Sequence, residues 1–339
     1  MNIVITGGAG FLGARLAAQL LSMGALGLGG TPSQQIKRIR LVDRAAAPAE
    51  LQADSRITQT VGDLNTLLET APDSVVALDD QVVFHLAAAV SGECEANFDL
   101  GMRSNLDATR ALLEACRALG TAPVVVFASS LAVFGNSPEQ PLPAVITDTT
   151  LPTPQNSYGI QKFIGEQLVA DYARKGFVKG RNVRLMTVSV RPGKPNGAAS
   201  SFLSGMIREP LAGERAACPV PADTAVALSS PSRTIRGIIR AAEASPADWG
   251  ARTAINLPAL KTTAGDMAAA LERVAGKAVA SLIDWTPDPA IARIVTSWPA
   301  HIDAARARGL GLEPDASFDD IIGEYLGENP HIRARLPAS

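Results

Sequence analysis

The glycine-rich segment near the start of the chain constrains the fold more than any other feature. Residues 2–6 form an apolar, strand-like run, and residues 7–13 follow with the sequence Gly-Gly-Ala-Gly-Phe-Leu-Gly. Gly7 permits a tight turn, Gly10 lets a pyrophosphate approach bare backbone, and Gly13 lets the next helix pack close to its strand. The helix that opens here presents unpaired N–H groups to phosphate charge. The segment therefore predicts a dinucleotide-binding site.

Strand-like and helical stretches alternate through the first half of the chain, which predicts an α/β fold with a doubly wound parallel sheet of the Rossmann type. The predicted strands are 2–6, 38–42, 56–61, 82–86, 124–128 and 183–190, and the predicted helices are 12–23, 64–70, 100–119 and 158–174. The glycine-rich stretch 24–35 lengthens the first crossover and is predicted to be a tolerated surface loop.

Prolines interrupt the chain after residue 191 and indicate a smaller C-terminal, substrate-binding cap. A helix at 235–244 and a strand at 253–257 are predicted to return to the sheet. Further helices are predicted at 201–208, at 262–275 and from residue 315 onward. We therefore expect an NAD-binding domain made of 1–190 with 235–257, and a cap made of 191–234 and 258–339.

Charge and cysteine content exclude several classes of function. The 31 basic and 33 acidic residues nearly balance, which argues against nucleic acid as a partner. Cys94, Cys116 and Cys218 are widely spaced and lack metal-type pairing, so we expect reduced thiols and no metal site. No signal sequence or long apolar span is evident, which predicts a cytoplasmic protein that does not act at a membrane.

Acidic side chains at the ends of the predicted strands suggest which dinucleotide binds. Asp43 ends the second strand, where a carboxylate accepts hydrogen bonds from ribose hydroxyls and repels a 2′-phosphate, which favours NAD over NADP. Arg44 complicates this prediction, because a basic residue there could meet a phosphate. Asp63, after the third strand, could meet the adenine amino group. His85 is predicted to be a buried strand histidine rather than a catalyst. The other predicted cofactor contacts near these strands are Phe11, Leu12, Leu64, Leu86, Ala87 and Ala88.

A tyrosine and a lysine one helical turn apart suggest acid–base chemistry on an alcohol. Tyr158 and Lys162 share a helix face. A phenol with its ordinary pKa near 10 is a poor base at neutral pH. A lysine ammonium and a nicotinamide cation would stabilise the phenolate, and lowering its pKa by about three units requires roughly 4 kcal/mol. Ser129 and Ser130 follow the fifth strand, at the sheet edge where ligands bind, and could hold the substrate oxygen.

With these motifs in place, the chain is similar to the extended short-chain dehydrogenase/reductase family, which contains NAD-dependent sugar epimerases and dehydratases. The resemblance covers residues 1 to about 260 and rests on 6–13, Asp63, 85–88, Asn105, the segment 127–135 (Phe-Ala-Ser-Ser-Leu-Ala-Val-Phe-Gly) and the Tyr-x-x-x-Lys pair. It implies that Ser130 is the catalytic serine, Tyr158 the proton acceptor and Lys162 the residue that lowers the tyrosine pKa. It further implies substrate contact for Ser129, a supporting role at the cofactor site for Asn105, and a cofactor contact for Pro192.

The chain departs from nucleotide-sugar members of this family in two segments. Residues 191–194 read Arg-Pro-Gly-Lys in place of Arg-x-x-Asn, and residues 231–237 lack the acid and histidine expected near the late helix. The segment 191–211 instead resembles the D-erythronate dehydrogenases, which oxidise the 2-hydroxyl of a four-carbon sugar acid to give 2-dehydro-D-erythronate. The alternatives are a nucleotide-sugar epimerase or dehydratase that binds its substrate through other residues than the family's usual ones, and a non-catalytic NAD(P)-sensing protein. The resemblance also suggests a homodimer formed through the helix at 158–174.

A sugar acid brings a carboxylate into a partly dry pocket, which is costly unless a cation meets it. Lys194, Arg208 and Arg233 lie on segments expected to face the nicotinamide end, and Lys194 or Arg208 is the preferred partner. For each of them alone, solvated surface charge is the competing interpretation. Asn196 and Ser200 could bind the hydroxyls of a short polyol chain.

Overall fold

The computed structural model describes residues 1–193 and 198–336, and a seven-stranded parallel sheet forms its centre. The order across the sheet is β3-β2-β1-β4-β5-β6-β7, and all neighbours run parallel. The order reverses between β1 and β4, which opens the crevice where ligands bind in such sheets. The predicted doubly wound sheet is confirmed. Its strands are β1 Asn2–Thr6, β2 Arg38–Asp43, β3 Ile57–Val61, β4 Val82–His85, β5 Val124–Ser130, β6 Lys179–Leu185 and β7 Ile255–Asn256.

Side-chain alternation along the strands separates the core into two layers. Ile3 and Ile5 of β1 belong to an apolar cluster on one face, whereas Val4 belongs to a cluster on the other. The first face is covered by helices Phe11–Met23 and Pro231–Glu243. The second is covered by helices Leu64–Thr70, Ala108–Leu119 and Ser157–Arg174.

A third apolar cluster lies in the C-terminal part of the chain. It gathers side chains from helices Phe202–Leu211, Ala264–Ala275 and Phe318–Glu328. A separate core supports the expected cap, although its boundaries stay a prediction. The strands in this part are Thr187–Val188, Ala225–Ser229 and Leu260–Thr263 in one small sheet, and Ala216–Cys218 and Ile283–Trp285 in another.

The shorter helices of the whole chain are Ala49–Gln52, Ser91–Ala96, Phe98–Gly101, Pro246–Trp249, Lys277–Ala280, Pro289–Thr296, Ala305–Gly309 and Pro330–Arg333, with single 3-10 turns at Pro72–Ser74 and Leu131–Val133.

The strand predicted at 183–190 is wrong in its bounds. Strand β6 begins at Lys179 and ends at Leu185, and the next strand, Thr187–Val188, belongs to the small cap sheet. The polar sequence of the early part of β6 conceals the strand, because Arg181 and Asn182 are buried there and hydrogen-bond to carbonyl groups. These bonds offset part of the cost of burying the two side chains, although Arg181 Nε and Asn182 Oδ1 are buried without a partner.

Two predicted helices also differ from the observed ones. The helix predicted at 100–119 consists of Phe98–Gly101, a π-helical segment Met102–Asp107 and Ala108–Leu119. The helix predicted from 262 begins at Ala264, because Leu260–Thr263 pairs with Ala225–Ser229 as a strand. π-Helical segments are frequent at functional sites.

The glycine-rich insertion forms an ordered hairpin on the late helix rather than a free loop. Ala25–Leu26 pairs with Gln34–Gln35, and the backbone N–H groups of Gly29 and Gly30 donate to Ala242 O and Glu243 O at 2.9 and 2.8 Å. The last carbonyls of a helix lack intrahelical partners. The insertion therefore caps the C-terminus of Pro231–Glu243.

We expect Gly30→Ala to destabilise the protein by more than Gly213→Ala. Both glycines have positive φ, +80° and +85°, where a Cβ costs about 1–2 kcal/mol. A Cβ on Gly30 would also lie 2.7 Å from Ser245 Cβ, whereas one on Gly213 meets nothing within 4 Å. Thermal unfolding of the two variants measures the difference. Equal losses would show that the hairpin contact contributes nothing to stability.

Candidate active site

A cavity of about 530 Å³ opens along the carboxyl edge of the sheet and extends beneath the cap. Strand register brings its walls together, because Thr6 pairs with both Val42 and His85 at the strand ends. Asn105 and Pro192, two further predicted cofactor contacts, do not line it. The predicted cofactor contacts that do line it are Gly7, Gly10, Phe11, Leu12, Gly13, Asp43, Asp63, Leu64, Leu86, Ala87, Ala88, Tyr158 and Lys162.

The glycine turn forms one end of the cavity. Gly7 has φ +70°, and a Cβ there would lie 2.8 Å from Ala87 N. A Cβ on Gly13 would lie 2.0 Å from Gly7 O, so the helix packs directly on the turn. Gly10 precedes the helix without a side-chain cap, which leaves the first N–H groups facing the cavity wall. This backbone cradle at a helix N-terminus fits the pyrophosphate of a dinucleotide.

Asp43 lies at the carboxyl end of β2 beside this turn. Its carboxylate accepts hydrogen bonds from the backbone N–H groups of Ala9 at 3.0 Å and Ala45 at 3.3 Å. These bonds fix the carboxylate against the glycine turn, where an acidic group is suited to bind ribose hydroxyls. A further role for Asp43 is therefore to hold the turn in place.

Asp63 is held by two arginines as well as by a helix. It caps Leu64–Thr70 by accepting from Thr66 N–H at 3.2 Å, and it pairs with Arg44 at 2.9 Å and Arg103 at 2.8 Å. Burial raises the pKa of Asp63, but these hydrogen bonds outweigh it and hold the pKa at about 2. The Arg44 side chain therefore pairs with Asp63, although Arg44 follows Asp43 in sequence.

His85 is a structural residue, as predicted. It is buried, its Nδ1 lies 2.7 Å from Thr6 Oγ1, and its Nε2 lies 3.0 Å from Thr109 Oγ1. The Thr109 hydroxyl donates to Asn105 O, so it accepts from His85 and the proton resides on Nε2. Burial, assisted by the charge of Lys162, lowers the pKa of His85 to about 3.

The predicted catalytic side chains meet at the other end of the cavity. Ser130 ends β5, its Oγ accepts from Ala132 N–H at 3.2 Å, and it lines the cavity together with Tyr158. Lys162 is buried, its Nζ donates to Ala128 O at 2.8 Å, and this Nζ lies 5.7 Å from the centroid of the Tyr158 ring. The structure therefore brings together the serine, tyrosine and lysine that the sequence singled out.

The titration of this group differs from the expectation that Lys162 lowers the tyrosine pKa. Burial raises the pKa of Tyr158 to about 12, against a hydrogen bond from Ser130 and the charge of Arg191, which lower it. Burial also lowers the pKa of Lys162 to about 8, with Cys94 and Glu166 opposing. In the protein alone Tyr158 is a neutral phenol at neutral pH, and Lys162 is mostly charged.

Asn105 acts as a clamp behind the cavity. Its side chain is buried, accepts from Ala89 N–H at 2.8 Å, and donates to Gln161 Oε1 at 2.8 Å. It also donates to Ala89 O at 3.2 Å. The π-helical segment thus ties the loop after β4 to the Tyr158 helix, which accounts for a positioning role without a place in the cavity wall.

Ser129 lines the cavity but its hydroxyl is directed elsewhere. The hydroxyl donates to Glu166 Oε1 at 2.5 Å, and Glu166 forms a buried, two-point ion pair with Arg184 at 2.8 Å. Breaking a buried pair leaves an uncompensated charge, so this arrangement is rigid. Substrate contact by Ser129 stays a prediction and would require its hydroxyl to leave Glu166.

Arg191 lines the cavity, although its sequence context predicted no role for it. Its Nε donates to Val188 O at 3.2 Å, and its charge acts on Tyr158. Burial lowers its pKa. Throughout 1–193 and 198–336, no carboxylate lies within ion-pair distance of its guanidinium. Its place just after the strand-like run 183–190 was the signal, because ligands bind at strand carboxyl ends. Other cavity residues that were not assigned include Ser91, Thr187 and Trp298.

The other predicted substrate contacts are placed differently. Arg208 is buried outside the cavity wall, pairs with Glu209 and donates to Arg191 O at 2.8 Å. Arg233 lies 4.0 Å from Asp315 and also away from the cavity. These two placements correct the expectation that both face the nicotinamide end. Ser200 is buried and lines the cavity, whereas Lys194 and Asn196 lie outside the described residues.

The model of the NAD dependent epimerase/dehydratase family matches residues 3–226 of this sequence. The chain belongs to that family. NAD is accordingly its cofactor, in agreement with the glycine cradle and with Asp43. The resemblance to extended short-chain dehydrogenases is confirmed, and the chain is an NAD-dependent oxidoreductase of the type that acts on CH–OH groups.

Three relatives of this NAD-dependent family member cover almost its whole length. A D-erythronate dehydrogenase of Cupriavidus necator is 51% identical over 96% of this chain and 98% of its own. A D-erythronate dehydrogenase of Haemophilus influenzae is 40% identical over 96% and 99%. A solved structure described as a nucleoside-diphosphate-sugar epimerase from Agrobacterium tumefaciens is 39% identical with a TM-score of 0.87, covering 98% of this chain and 95% of that one.

We expect bound NAD to lower the pKa of Tyr158 from about 12, because a positive nicotinamide ring favours the phenolate. Ultraviolet titration measures this as the wild-type signal minus that of Tyr158→Phe. The subtraction removes Tyr172 and Tyr325, whose pKa values are also raised. The difference signal should appear only at strongly alkaline pH without NAD and at lower pH with it. A pKa that NAD leaves unchanged would contradict the assignment.

Proposed function

We propose that this protein oxidises the 2-hydroxyl of a four-carbon sugar acid, D-erythronate, to 2-dehydro-D-erythronate with NAD. Two D-erythronate dehydrogenases are 51% and 40% identical to it over nearly full length. The observation that carries the proposal is the position of Arg191, a cation that lines the same cavity as Tyr158 and whose charge lowers the pKa of that tyrosine.

A 2-hydroxy acid carries its carboxylate on the carbon that bears the reacting hydroxyl. The cation that meets the carboxylate must therefore lie beside the proton acceptor. Arg191 lines the cavity with Tyr158 and acts on its pKa, whereas Arg208 and Arg233 lie outside the cavity wall. A guanidinium binds a carboxylate through two parallel hydrogen bonds, and charge-assisted bonds of this kind contribute about 1.5–3 kcal/mol. Such a site favours an acid over a neutral polyol.

The residues at the reacting carbon divide the chemistry between them. NAD, when bound, supplies the acceptor for the hydride. Ser130 holds the substrate oxygen, and Tyr158, which lines the cavity with it, accepts the hydroxyl proton. Lys162, anchored on Ala128 O, places a positive charge next to the Tyr158 ring and favours its phenolate. Ser200 lies buried in the same wall and is suited to bind a further hydroxyl.

A nucleotide-sugar epimerase is the second candidate, favoured by the solved structure at 39% identity and TM-score 0.87 whose description names that activity. An epimerase returns its hydride and releases no net NADH. The cavity of about 530 Å³ must hold the dinucleotide as well as the substrate, which favours a small substrate over a nucleotide sugar. The sequence departures at 191–194 and 231–237 point the same way.

The test compares D-erythronate, L-threonate and UDP-glucose with purified protein and NAD, following NADH absorbance and analysing the products. Net NADH from D-erythronate, with L-threonate slower, supports the proposal. Interconversion of UDP-glucose without net NADH would establish the epimerase instead. No turnover of any of the three, despite measurable NAD binding, would favour the non-catalytic sensor.

We also infer that the chain forms a homodimer through the Tyr158 helix. Ile160 and Ile164, one turn apart on that helix, are 46% and 37% exposed, and Phe98 nearby in the chain's fold is 61% exposed. Exposed apolar side chains on one helix face are typical of an interface. Light scattering of wild type and Ile164→Glu tests this, and a monomeric wild type would overturn it.

Across the described ranges no helix combines the length and apolarity needed to cross a bilayer. Cytoplasmic location stays a prediction.

A further inference from the structure

An ion-pair bridge of three residues lies at the adenosine end of the cavity. Arg44 and Arg103 each contact a different oxygen of Asp63, at 2.9 and 2.8 Å. Asp63 is anchored in addition as the cap of Leu64–Thr70. Arg44 and Asp63 line the cavity, and Arg44 directly follows Asp43. The bridge therefore directs Arg44, which adjoins the ribose-binding acid in sequence, toward Asp63.

The position of Arg44 matters because NADP differs from NAD by a 2′-phosphate on that ribose. An arginine near the end of the second strand is what accommodates this phosphate in related folds. A guanidinium that pairs with a carboxylate has one of its donors engaged and its charge partly offset, here through the single contact of Arg44 Nη2 with Asp63. The chain thus contains a cation suited to a 2′-phosphate, together with an acid that occupies it.

We propose that Asp63 is a second determinant of the preference for NAD over NADP, and that it acts by holding Arg44 away from the 2′-phosphate. Asp43 repels the phosphate directly, whereas Asp63 withholds the cation that would attract it. The two acids act on the same group, so their effects should be coupled rather than independent. The proposal rests on the NAD site and does not depend on the sugar-acid substrate.

The decisive variant is Asp63→Asn, which removes the charge but keeps the side-chain shape. Asparagine caps helices as well as aspartate does, and it retains an acceptor for adenine, so these roles survive. The ratio of NADPH to NADH affinity, measured by fluorescence titration without substrate, should rise by about threefold to fivefold. An exposed pair contributes up to about 1 kcal/mol, which corresponds to that range. Asp63→Ser, which also caps helices, provides a second variant with the same expected direction.

Two further comparisons separate this role from a purely structural one. In an Asp43→Asn background, Asp63→Asn should raise the same ratio by about tenfold, since the repelling acid is then absent. In an Arg44→Ala background, Asp63→Asn should leave the ratio unchanged. Arg103→Ala is the matched control, because it removes a cation from Asp63 without freeing Arg44, so the ratio should not rise.

Equal changes in NADH and NADPH affinity on Asp63→Asn would overturn the proposal, as would a rise in the ratio that persists in Arg44→Ala. Failure of the D-erythronate assay would leave this titration unaffected, because it uses the reduced cofactors alone. The outcomes of the two proposals are therefore distinguishable.

Discussion

Replacing Tyr158 with phenylalanine should lower kcat for D-erythronate oxidation by about 10²–10⁴-fold, the contribution that a positioned general base typically makes. The substitution removes one oxygen and leaves the ring beside Lys162, whose Nζ lies 5.7 Å from its centroid. Because the ring and the glycine turn stay in place, NADH affinity should remain close to that of wild type. Steady-state kinetics and fluorescence titration measure the two quantities.

Tyr172→Phe is the matched control for this experiment. Tyr172 lies on the same helix, Ser157–Arg174, but its hydroxyl pairs with Glu114 on the surface and does not line the cavity. Its removal should leave kcat unchanged. If Tyr158→Phe retained wild-type turnover, proton transfer would have to proceed through another group, and the assigned mechanism would be wrong.

The cofactor end of the site could be predicted from sequence because its determinants are local. Gly7, Gly10 and Gly13 lie within seven consecutive residues, and their backbone roles follow from spacing alone. Asp43 and Ser130 end their strands, and parallel pairing brings strand ends to one edge regardless of side-chain detail. Tyr158 and Lys162 share a face because residues four apart on a helix are neighbours.

The substrate end could not be predicted as well, because it depends on contacts between distant segments. Arg191 and Arg208 lie in one proline-rich region, and nothing in their local sequence says which guanidinium faces the cavity. The structure decides this through Glu209, which engages Arg208, while Arg191 has no acid beside it among the described residues. Asn105 was predicted through the family resemblance alone, since its partners Ala89 and Gln161 come from other elements.

Polar residues within a buried strand account for the wrong bounds predicted for β6. Arg184 and Asn182 give β6 a sequence that resembles a surface segment, yet both are buried and bonded to Glu166 on the Tyr158 helix. Periodicity analysis scores such residues as exposed, because it does not include a partner that arrives from elsewhere in the chain. The sequence therefore does not predict the buried ion pair of Arg184 with Glu166, although Glu166 also holds the hydroxyl of Ser129 in the cavity wall.

Replacing Arg191 with alanine should lower kcat/KM for D-erythronate by about 10- to 150-fold, which corresponds to the loss of about 1.5–3 kcal/mol of charge-assisted hydrogen bonding. Arg191→Lys keeps the charge but loses the planar fork of donors, so it should restore only part of the activity. Arg215→Ala, which removes an exposed arginine paired with Asp284, is the control and should have no effect.

The comparison that isolates the carboxylate uses the amide of D-erythronate, a neutral molecule of nearly the same shape. Wild type should prefer the acid, because only the acid pairs with the Arg191 guanidinium. In Arg191→Ala that preference should disappear, and the amide should lose only the smaller part of the activity that depends on the Arg191 charge lowering the Tyr158 pKa. If both substrates instead lost activity equally, Arg191 would act through the Tyr158 pKa or through its bond to Val188 O rather than on the carboxylate, and the cation that selects the acid would have to be sought in another segment of the cap.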